Sequence, residues 1–245
     1  MISWLAAQPY AHRGFHDTEA GLVENSLSAF HAAIEYGYGI ELDVQLSGDD
    51  DAVVFHDRTL DRLTGETGPV DGRTTEELRE ITLTGSEDTI PTLDHVLSVI
   101  DGRVPVLVEV KTKPREAPGA LEQAVLGALE DYDGPFAVMS FSPDCVAWFQ
   151  TMAPWMPRGL VAMDFVAHPV DLSFAERLAL ARLHHVRRID PDFVAYDCRS
   201  IPNRALRAVR ARGIQTLSWT VRNQDMADTI APHVDQIIFE RFTPA

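Results

Sequence analysis

The chain has 245 residues, 45% of them hydrophobic and 24% charged, which is the composition of an ordinary soluble globular protein. No linker or change of composition marks a boundary, so we expect a single domain over residues 1–245. The 21 basic and 37 acidic residues give a formal net charge of −16, which argues against binding to nucleic acid or to an anionic membrane surface. An anionic ligand would need a cation or focused basic residues in its site.

The first residues, the length of the apolar stretches and the cysteines predict where in the cell the protein is located. The first ten residues have no basic side chain and only a short apolar run, so they do not resemble a signal peptide. No apolar stretch reaches transmembrane length. Cys145 and Cys198 lack metal-ligand spacing, and we expect two reduced thiols. We therefore expect a cytoplasmic protein without stable membrane association, while its oligomeric state stays open.

Apolar runs typical of strands alternate along the chain with longer segments that have helical spacing. The predicted strands are 9–13, 39–45, 51–56, 104–111, 136–140, 159–162, 193–196, 214–220 and 234–239. The predicted helices are 25–35, 91–100, 117–130, 143–152, 171–183, 203–212 and 225–230. Either Asn25 or Ser26 can cap the first helix, and Gly37 lies just beyond its end.

Without the short run 51–56, the strands number eight, which predicts an α/β fold of the (β/α)₈ or TIM barrel type. A doubly wound open sheet shows the same alternation and stays an alternative, although no Gly-rich phosphate loop follows the first strand. The segment 57–90 is polar and turn-rich, and we expect it to form a small insertion within the barrel.

Charged residues lie near the ends of two predicted core strands. Glu41 and Asp43 are two apart and point the same way, and Glu109 and Lys111 repeat that arrangement. The carboxyl ends of barrel strands form the active-site face, and converging carboxylates repel each other unless a cation neutralises them. Oxygen ligands suit Mg²⁺ or Ca²⁺. The alternative is that these acids are solvated or form salt bridges with Lys111 and Arg13.

Two histidines lie at the ends of strand-like runs. His12 ends the first strand beside Arg13, and His56 ends the run 51–56 and precedes Asp57. Because histidine titrates near neutrality, either residue can give or take a proton. We expect the other seven histidines to have no catalytic role.

Short motifs match those of a known enzyme family in order and spacing. They are His12-Arg13-Gly14, Glu24-Asn25-Ser26 with Ala29-Phe30, Glu41-Leu42-Asp43-Val44, His56-Asp57, Leu63-Thr64, Pro91-Thr92-Leu93, Glu109-Val110-Lys111, Ser140-Phe141 and Trp219-Thr220-Val221. Each motif is weak alone, but together they extend over nearly the whole chain. On these motifs the chain resembles the glycerophosphodiester phosphodiesterases of bacterial type.

The resemblance implies a TIM barrel that hydrolyses a phosphodiester to an alcohol and a phosphomonoester. It implies one divalent cation, Mg²⁺ or Ca²⁺, held by Glu41, Asp43 and Glu109. It also implies His12 and His56 as general acid and base, in an order that the sequence leaves open. The residues that match substrate-binding positions of the family are Arg13, Glu24, Asn25, Lys111, Phe141 and Trp219.

Two places depart from the family pattern. The turn after the Glu41–Asp43 strand is more acidic than usual, and Phe239-Glu240 replace the usual Thr-Asp after the last strand. The second departure leaves the alcohol group of the substrate open. Small soluble glycerophosphodiesters are the first expectation, and lysophospholipids or sugar phosphodiesters are alternatives. A barrel that binds a phosphorylated ligand without hydrolysis and a metal-dependent sugar isomerase are further alternatives.

Overall fold

The structure is a computed structural model that describes residues 1–112, 116–168 and 170–245. The chain divides into two compact units. One unit is Tyr10–Ala137, and the other comprises Met1–Pro9 with Val138–Ala245. The expectation of a single domain over residues 1–245 stays a prediction.

The unit Tyr10–Ala137 is built on a small sheet covered by helices. Its strands are β1 (Tyr10–His12), β2 (Gly39–Leu46), β3 (Ala52–Val54) and β4 (Val106–Val110). Its helices are α1 (Leu27–Glu35), α2 (Thr75–Arg79), α3 (Leu93–Ile100) and α4 (Ala120–Glu130). Strand β2 pairs in parallel with β1 and β4 and antiparallel with β3.

The strand register in this unit brings the predicted site residues to one level. His12 on β1 pairs with Glu41 on β2, and Asp43 on β2 pairs with Glu109 on β4. These strands are buried along most of their length, as expected for a parallel sheet covered on both faces. The polar residues are therefore placed within an apolar sheet.

The first helix begins where the sequence places a capping residue. The Ser26 hydroxyl accepts a hydrogen bond from the Ala29 backbone N–H at 3.2 Å, so Ser26 rather than Asn25 caps α1. Beyond the end of the helix, Gly37 takes a left-handed φ of 72°.

The segment 57–90 lies between β3 and α3 and contains a 3₁₀ turn (Val70–Gly72) and α2. It is not polar throughout, because its apolar side chains join those of two earlier segments in a buried cluster. We call this the insertion cluster: Val23, Val53, Phe55, Leu60, Val70, Leu78, Leu83 and Ile90. The insertion therefore packs against the unit through a small apolar core.

The second unit continues the alternation of strands and helices. Its strands are β5 (Phe136–Ser140), which begins before the unit boundary, β6 (Arg158–Ala162), β7 (Phe193–Asp197), β8 (Gln215–Val221) and β9 (Gln236–Phe239). Its helices are α5 (Pro143–Met152), α6 (Phe174–Ala181), α7 (Val186–Ile189), α8 (Arg204–Arg210) and α9 (Gln224–Ile230). Strands β5 to β9 pair in parallel in chain order.

The order of strands and helices agrees with the sequence prediction, while several bounds differ. Among the described residues, eight strands take part in parallel pairings, three in one unit and five in the other. Helix α6 begins at Phe174 rather than 171, because the Ser173 side chain caps it. The short helices α2 and α7 were not predicted.

No helix among the described residues combines the length and apolar character needed to cross a bilayer.

Candidate active site

Three buried carboxylates converge in the unit Tyr10–Ala137. Glu41 and Asp43 are each 1% exposed and Glu109 is 7% exposed. One carboxylate oxygen from each lies within 4.8 Å of the others. Alternate residues of a strand face the same way, so β2 contributes two of these groups and the neighbouring β4 the third.

The pKa values of Glu41 and Asp43 are shifted in opposite directions. Burial raises the pKa of Glu41 well above its ordinary value, and the charges of Asp43 and Glu109 raise it further. Burial would also raise the pKa of Asp43, but the charges of Lys111 and Arg13 hold it far below its ordinary value. The cluster therefore favours a positive charge beside it.

Two basic side chains contact these carboxylates. Lys111 Nζ lies 2.7 Å from Asp43 Oδ1 and also contacts Glu109. Arg13 Nε lies 3.1 Å from Asp43 Oδ2. Burial would lower the pKa of Lys111, but Asp43 and Glu109 raise it above its ordinary value. The salt bridges considered as an alternative from the sequence therefore exist, in the same cluster as the candidate metal ligands.

The loop between β1 and α1 holds the carboxylates through its backbone and through one amide side chain. The Arg13 backbone N–H donates to Glu41 Oε2 at 3.1 Å, and Asn25 makes two hydrogen bonds with Asp43. Arg13 and Asn25 both have φ of 58°, and the Asn25 N–H donates to the Arg13 carbonyl at 2.9 Å. Non-glycine residues in the left-handed region are uncommon and cluster at functional sites.

Gly14 follows Arg13 and completes this turn. Its φ is 83°, and a Cβ added there would lie 2.9 Å from the Ala29 Cβ. The turn needs glycine both for its backbone conformation and for its close approach to α1.

Both predicted catalytic histidines are near the carboxylates. His12 Nε2 lies 3.9 Å from Glu41 Oε2. His56 Nδ1 lies 2.5 Å from Asp57 Oδ1. The charges of His56 and His12 each contribute to lowering the pKa of Asp43. The unit therefore gathers both histidines around the carboxylate cluster.

Glu24 joins the same network from the loop that precedes α1. Arg13 Nη1 donates to Glu24 Oε1 at 2.6 Å, and Arg62 donates to both Glu24 oxygens. The sequence reasoning missed Arg62 and gave Asp57 no role. An arginine within an acidic, turn-rich insertion carries no sequence signal of its contacts, whereas the acid directly after His56 could have been recognised as its partner.

Phe141 and Trp219 belong to the second unit. Their ring centroids are 5.3 Å apart in an edge-to-face arrangement, and Phe165 packs against Phe141 at 6.1 Å. The Trp219 indole N–H donates to the Ala195 carbonyl at 3.1 Å. In the same unit the atypical Glu240 is buried and accepts a hydrogen bond from Arg222 Nε at 2.7 Å.

The donor set of Glu41, Asp43 and Glu109 fits a hard divalent cation. It consists of oxygen atoms alone and it is buried. Burial raises the pKa of Glu41, and the charges of Asp43 and Glu109 raise it further, so a cation beside the three carboxylates would stabilise their ionised forms. Mg²⁺ and Ca²⁺ prefer such ligands.

Comparison with known proteins decides the family. The family model described as "Glycerophosphoryl diester phosphodiesterase family" matches residues 12–242. The chain belongs to this family. A glycerophosphodiester phosphodiesterase of Caldanaerobacter subterraneus is 31% identical over 240 residues, covering 93% of this chain and 91% of that protein. Glycerophosphodiester phosphodiesterase 1 of Rattus norvegicus is 27% identical, covering 91% of this chain and 74% of that protein.

Solved structures establish the fold. An Oleispira antarctica phosphodiesterase in complex with the product sn-glycerol-3-phosphate is similar with a TM-score of 0.79 at 22% identity, covering 95% of this chain and 92% of that one. A Thermotoga maritima glycerophosphodiester phosphodiesterase gives a TM-score of 0.73 at 25% identity, with coverage of 95% and 94%. The predicted TIM barrel and the predicted enzyme class, a phosphoric diester hydrolase, are confirmed. The open sheet is excluded.

Proposed function

We propose that this family member uses one divalent cation and two histidines to hydrolyse glycerophosphodiesters to an alcohol and glycerol 3-phosphate. The observation that carries the proposal is the buried cluster of Glu41, Asp43 and Glu109 with basic and histidine side chains around it. The substrates named for the relatives, and the product named for the Oleispira antarctica structure, support the substrate class.

Glu41, Asp43 and Glu109 would hold the cation, which is Mg²⁺ or Ca²⁺ on the chemistry of the donors. When bound, such a cation draws charge from the non-bridging phosphate oxygens. Arg13 and Lys111 would neutralise further phosphate charge, since stabilising charge on the transferred group is the main requirement of phosphoryl transfer. The cation and the two basic residues solve the problem that the net charge of −16 poses for an anionic substrate.

His56 is the better candidate for the general base. Asp57 Oδ1 lies 2.5 Å from His56 Nδ1, which favours the tautomer with a proton on Nδ1 and leaves Nε2 to accept one. A carboxylate beside the ring also stabilises the imidazolium that forms. His56 would take the proton of the attacking hydroxyl while the new P–O bond forms. That hydroxyl belongs either to water, which gives glycerol 3-phosphate directly, or to the glycerol of the substrate, which gives a cyclic phosphate that water then opens. His12 would donate a proton to the leaving alkoxide as the second P–O bond breaks.

The acidic character of the chain favours a small soluble substrate. A formal net charge of −16 disfavours approach to an anionic membrane surface, where lysophospholipids are found. Glycerophosphocholine is therefore a better first substrate than a lysophospholipid. The cytoplasmic location stays a prediction.

The test is turnover of a substrate panel with added Mg²⁺, with added Ca²⁺ and with EDTA. We expect glycerol 3-phosphate release from glycerophosphocholine with one or both metals, none with EDTA, and slower release from lysophosphatidylcholine. No turnover of any glycerophosphodiester with either metal would overturn the proposal.

The histidine roles are tested by substitution. His12→Ala and His56→Ala should each lower kcat about 10²–10⁴-fold, the usual contribution of a general acid or base. Metal binding, measured by calorimetry, should be largely retained. His31→Ala is a matched control, because His31 is exposed on α1. If both variants kept wild-type kcat, the acid–base assignment would be wrong.

A further inference from the structure

Arg62 of the insertion lies between two carboxylates and binds both through its guanidinium group. Its Nε lies 2.5 Å from Asp57 Oδ2, and its Nη2 lies 3.0 Å from Asp57 Oδ1. Its Nη1 and Nη2 lie 3.0 and 2.8 Å from the two Glu24 oxygens. The planar fork of arginine suits such paired contacts, which a lysine ammonium cannot reproduce.

Each of these carboxylates also binds a residue of the proposed machinery. Asp57 contacts His56 Nδ1 at 2.5 Å, and Glu24 accepts a hydrogen bond from Arg13 Nη1 at 2.6 Å. One guanidinium group therefore connects the candidate general base to a candidate phosphate-binding arginine.

Asp57 and Glu24 are both held in their ionised form, which strengthens their contacts with Arg62. Burial would raise the pKa of Asp57, but hydrogen bonds from Arg62 and His56 lower it to about 2. Burial would likewise raise the pKa of Glu24, but Arg62 and Arg13 lower it. Both carboxylates are ionised at neutral pH and bind the guanidinium as charged partners.

The insertion cluster fixes the backbone that carries Arg62. Leu60 is buried in the cluster, and Leu63 packs against it. The Thr64 hydroxyl donates to the Leu60 carbonyl at 2.9 Å. The chain on both sides of Arg62 is therefore anchored, although the side chain itself is 45% exposed. Screening by water makes an exposed ion pair a weak contributor to stability, so a role in stability alone does not account for four contacts with two carboxylates.

We propose that Arg62 is a positioning residue of the phosphodiesterase reaction, which holds His56 through Asp57 and Arg13 through Glu24. This inference rests on the proposed function. Arg62 acts through its two carboxylates, so its loss misplaces the histidine and the arginine without removing either. A small misplacement of reacting groups can lower turnover about 100-fold.

The experiment compares Arg62→Lys with Arg73→Lys in the full chain. Arg73 is a matched control because it lies in the same insertion and forms one exposed pair with Glu66 at 3.0 Å. With glycerophosphocholine and the activating metal, Arg62→Lys should lower kcat about 10–100-fold, with a smaller change in KM. Arg73→Lys should stay within about twofold of wild type. Both variants should keep the wild-type melting temperature within a few degrees.

Added guanidine distinguishes positioning from a structural role. Arg62→Ala should recover part of its kcat when guanidinium chloride is added at millimolar concentration, and Arg73→Ala should not respond. A wild-type kcat in Arg62→Lys, or the same guanidine response in both alanine variants, overturns the inference.

A spectroscopic measurement separates this inference from the proposed function. In ¹⁵N-labelled protein at fixed pH, Arg62→Lys should shift the His56 ring nitrogen signals, and Arg73→Lys should leave them unchanged. An unshifted His56 signal overturns the positioning role whatever the activity. Absence of turnover in the wild type with a shifted His56 signal would instead overturn the proposed function while retaining the link from Arg62 to His56.

Discussion

Asn25 holds Asp43 at two points. The Asn25 amide Nδ2 donates to Asp43 Oδ2 at 2.9 Å, and Asn25 Oδ1 accepts from the Asp43 backbone N–H at 3.2 Å. Both residues are 1% exposed, so neither bond can be replaced by bulk water. A partner that orients a metal-binding carboxylate typically changes metal affinity by 10–100-fold when it is removed.

We therefore expect Asn25→Ala to bind Mg²⁺ or Ca²⁺ about 10–100-fold more weakly than wild type. It should also lose about 1–3 kcal/mol of unfolding free energy, because two buried polar groups of Asp43 lose their partner. Calorimetric titration and urea unfolding measure the two effects. Asn203→Ala is the control, since Asn203 caps α8 through a bond to the Leu206 N–H. It should lose about 1 kcal/mol with unchanged metal affinity. Equal metal affinity in both variants would contradict the assignment.

The stability of the metal-free protein should depend on the ionisation of Glu41. Because its pKa is raised above the ordinary 4.5, native Glu41 keeps its proton to a higher pH than the unfolded chain does. The stability that this group contributes is complete below about 4.5 and is lost as pH rises through the native pKa. In EDTA, wild type should lose more unfolding free energy between pH 4.5 and 8 than Glu41→Gln.

At pH 8, a divalent cation should raise the unfolding free energy of wild type more than that of Glu41→Gln. Binding to the native state stabilises wild type, whereas Glu41→Gln lacks one charged ligand and should gain less. Urea unfolding at pH 8 with and without saturating metal measures both. A steeper loss of stability with pH in Glu41→Gln than in wild type would falsify this account.

Lys111 contacts Asp43 and Glu109, so its removal takes a cation from two buried carboxylates and leaves Asp43 paired with Arg13. Lys111→Met should lower the unfolding free energy in EDTA by about 3–5 kcal/mol, the usual effect of breaking a buried ion pair. Added Mg²⁺ or Ca²⁺ replaces the missing charge, so the metal should raise the melting temperature of this variant more than that of wild type. An equal rise in both proteins would show that cation and lysine do not share the same carboxylates.

Gly14→Ala should be strongly destabilising for two separable reasons. The left-handed backbone at φ 83° disfavours a side chain, and the new Cβ would approach the Ala29 Cβ to 2.9 Å. Gly37 offers the matched control, since its φ is 72° and no atom lies within 4 Å of an added Cβ. We expect Gly37→Ala to lose about 1–2 kcal/mol and Gly14→Ala about 2–5 kcal/mol in urea unfolding. Equal losses would show that α1 moves aside freely.

The fold was predictable because its signals are local and repeat along the chain. Buried parallel strands produce apolar runs such as Val106–Val110, and capping residues such as Ser26 and Ser173 mark helix starts. The short helix Val186–Ile189 has four residues, less than the length over which helical spacing can be recognised.

The candidate site was predictable only in part. Glu41, Asp43 and Glu109 stand on strands whose period of two fixes the direction of each side chain, so their convergence follows from spacing. Arg62 reaches Glu24 across 38 positions of the chain, and that contact depends on how the insertion folds back. No local pattern encodes such a contact.

The insertion cluster limits how this enzyme can be redesigned. Joining residue 56 directly to residue 91 to obtain a minimal barrel would expose Val23, Val53 and Phe55 to water, since their apolar neighbours lie within the excised segment. A transplant of residues 57–90 into a related barrel would succeed only if the recipient presented matching apolar residues at those three positions. An exchange of segment 57–90 must therefore include the three residues against which it packs.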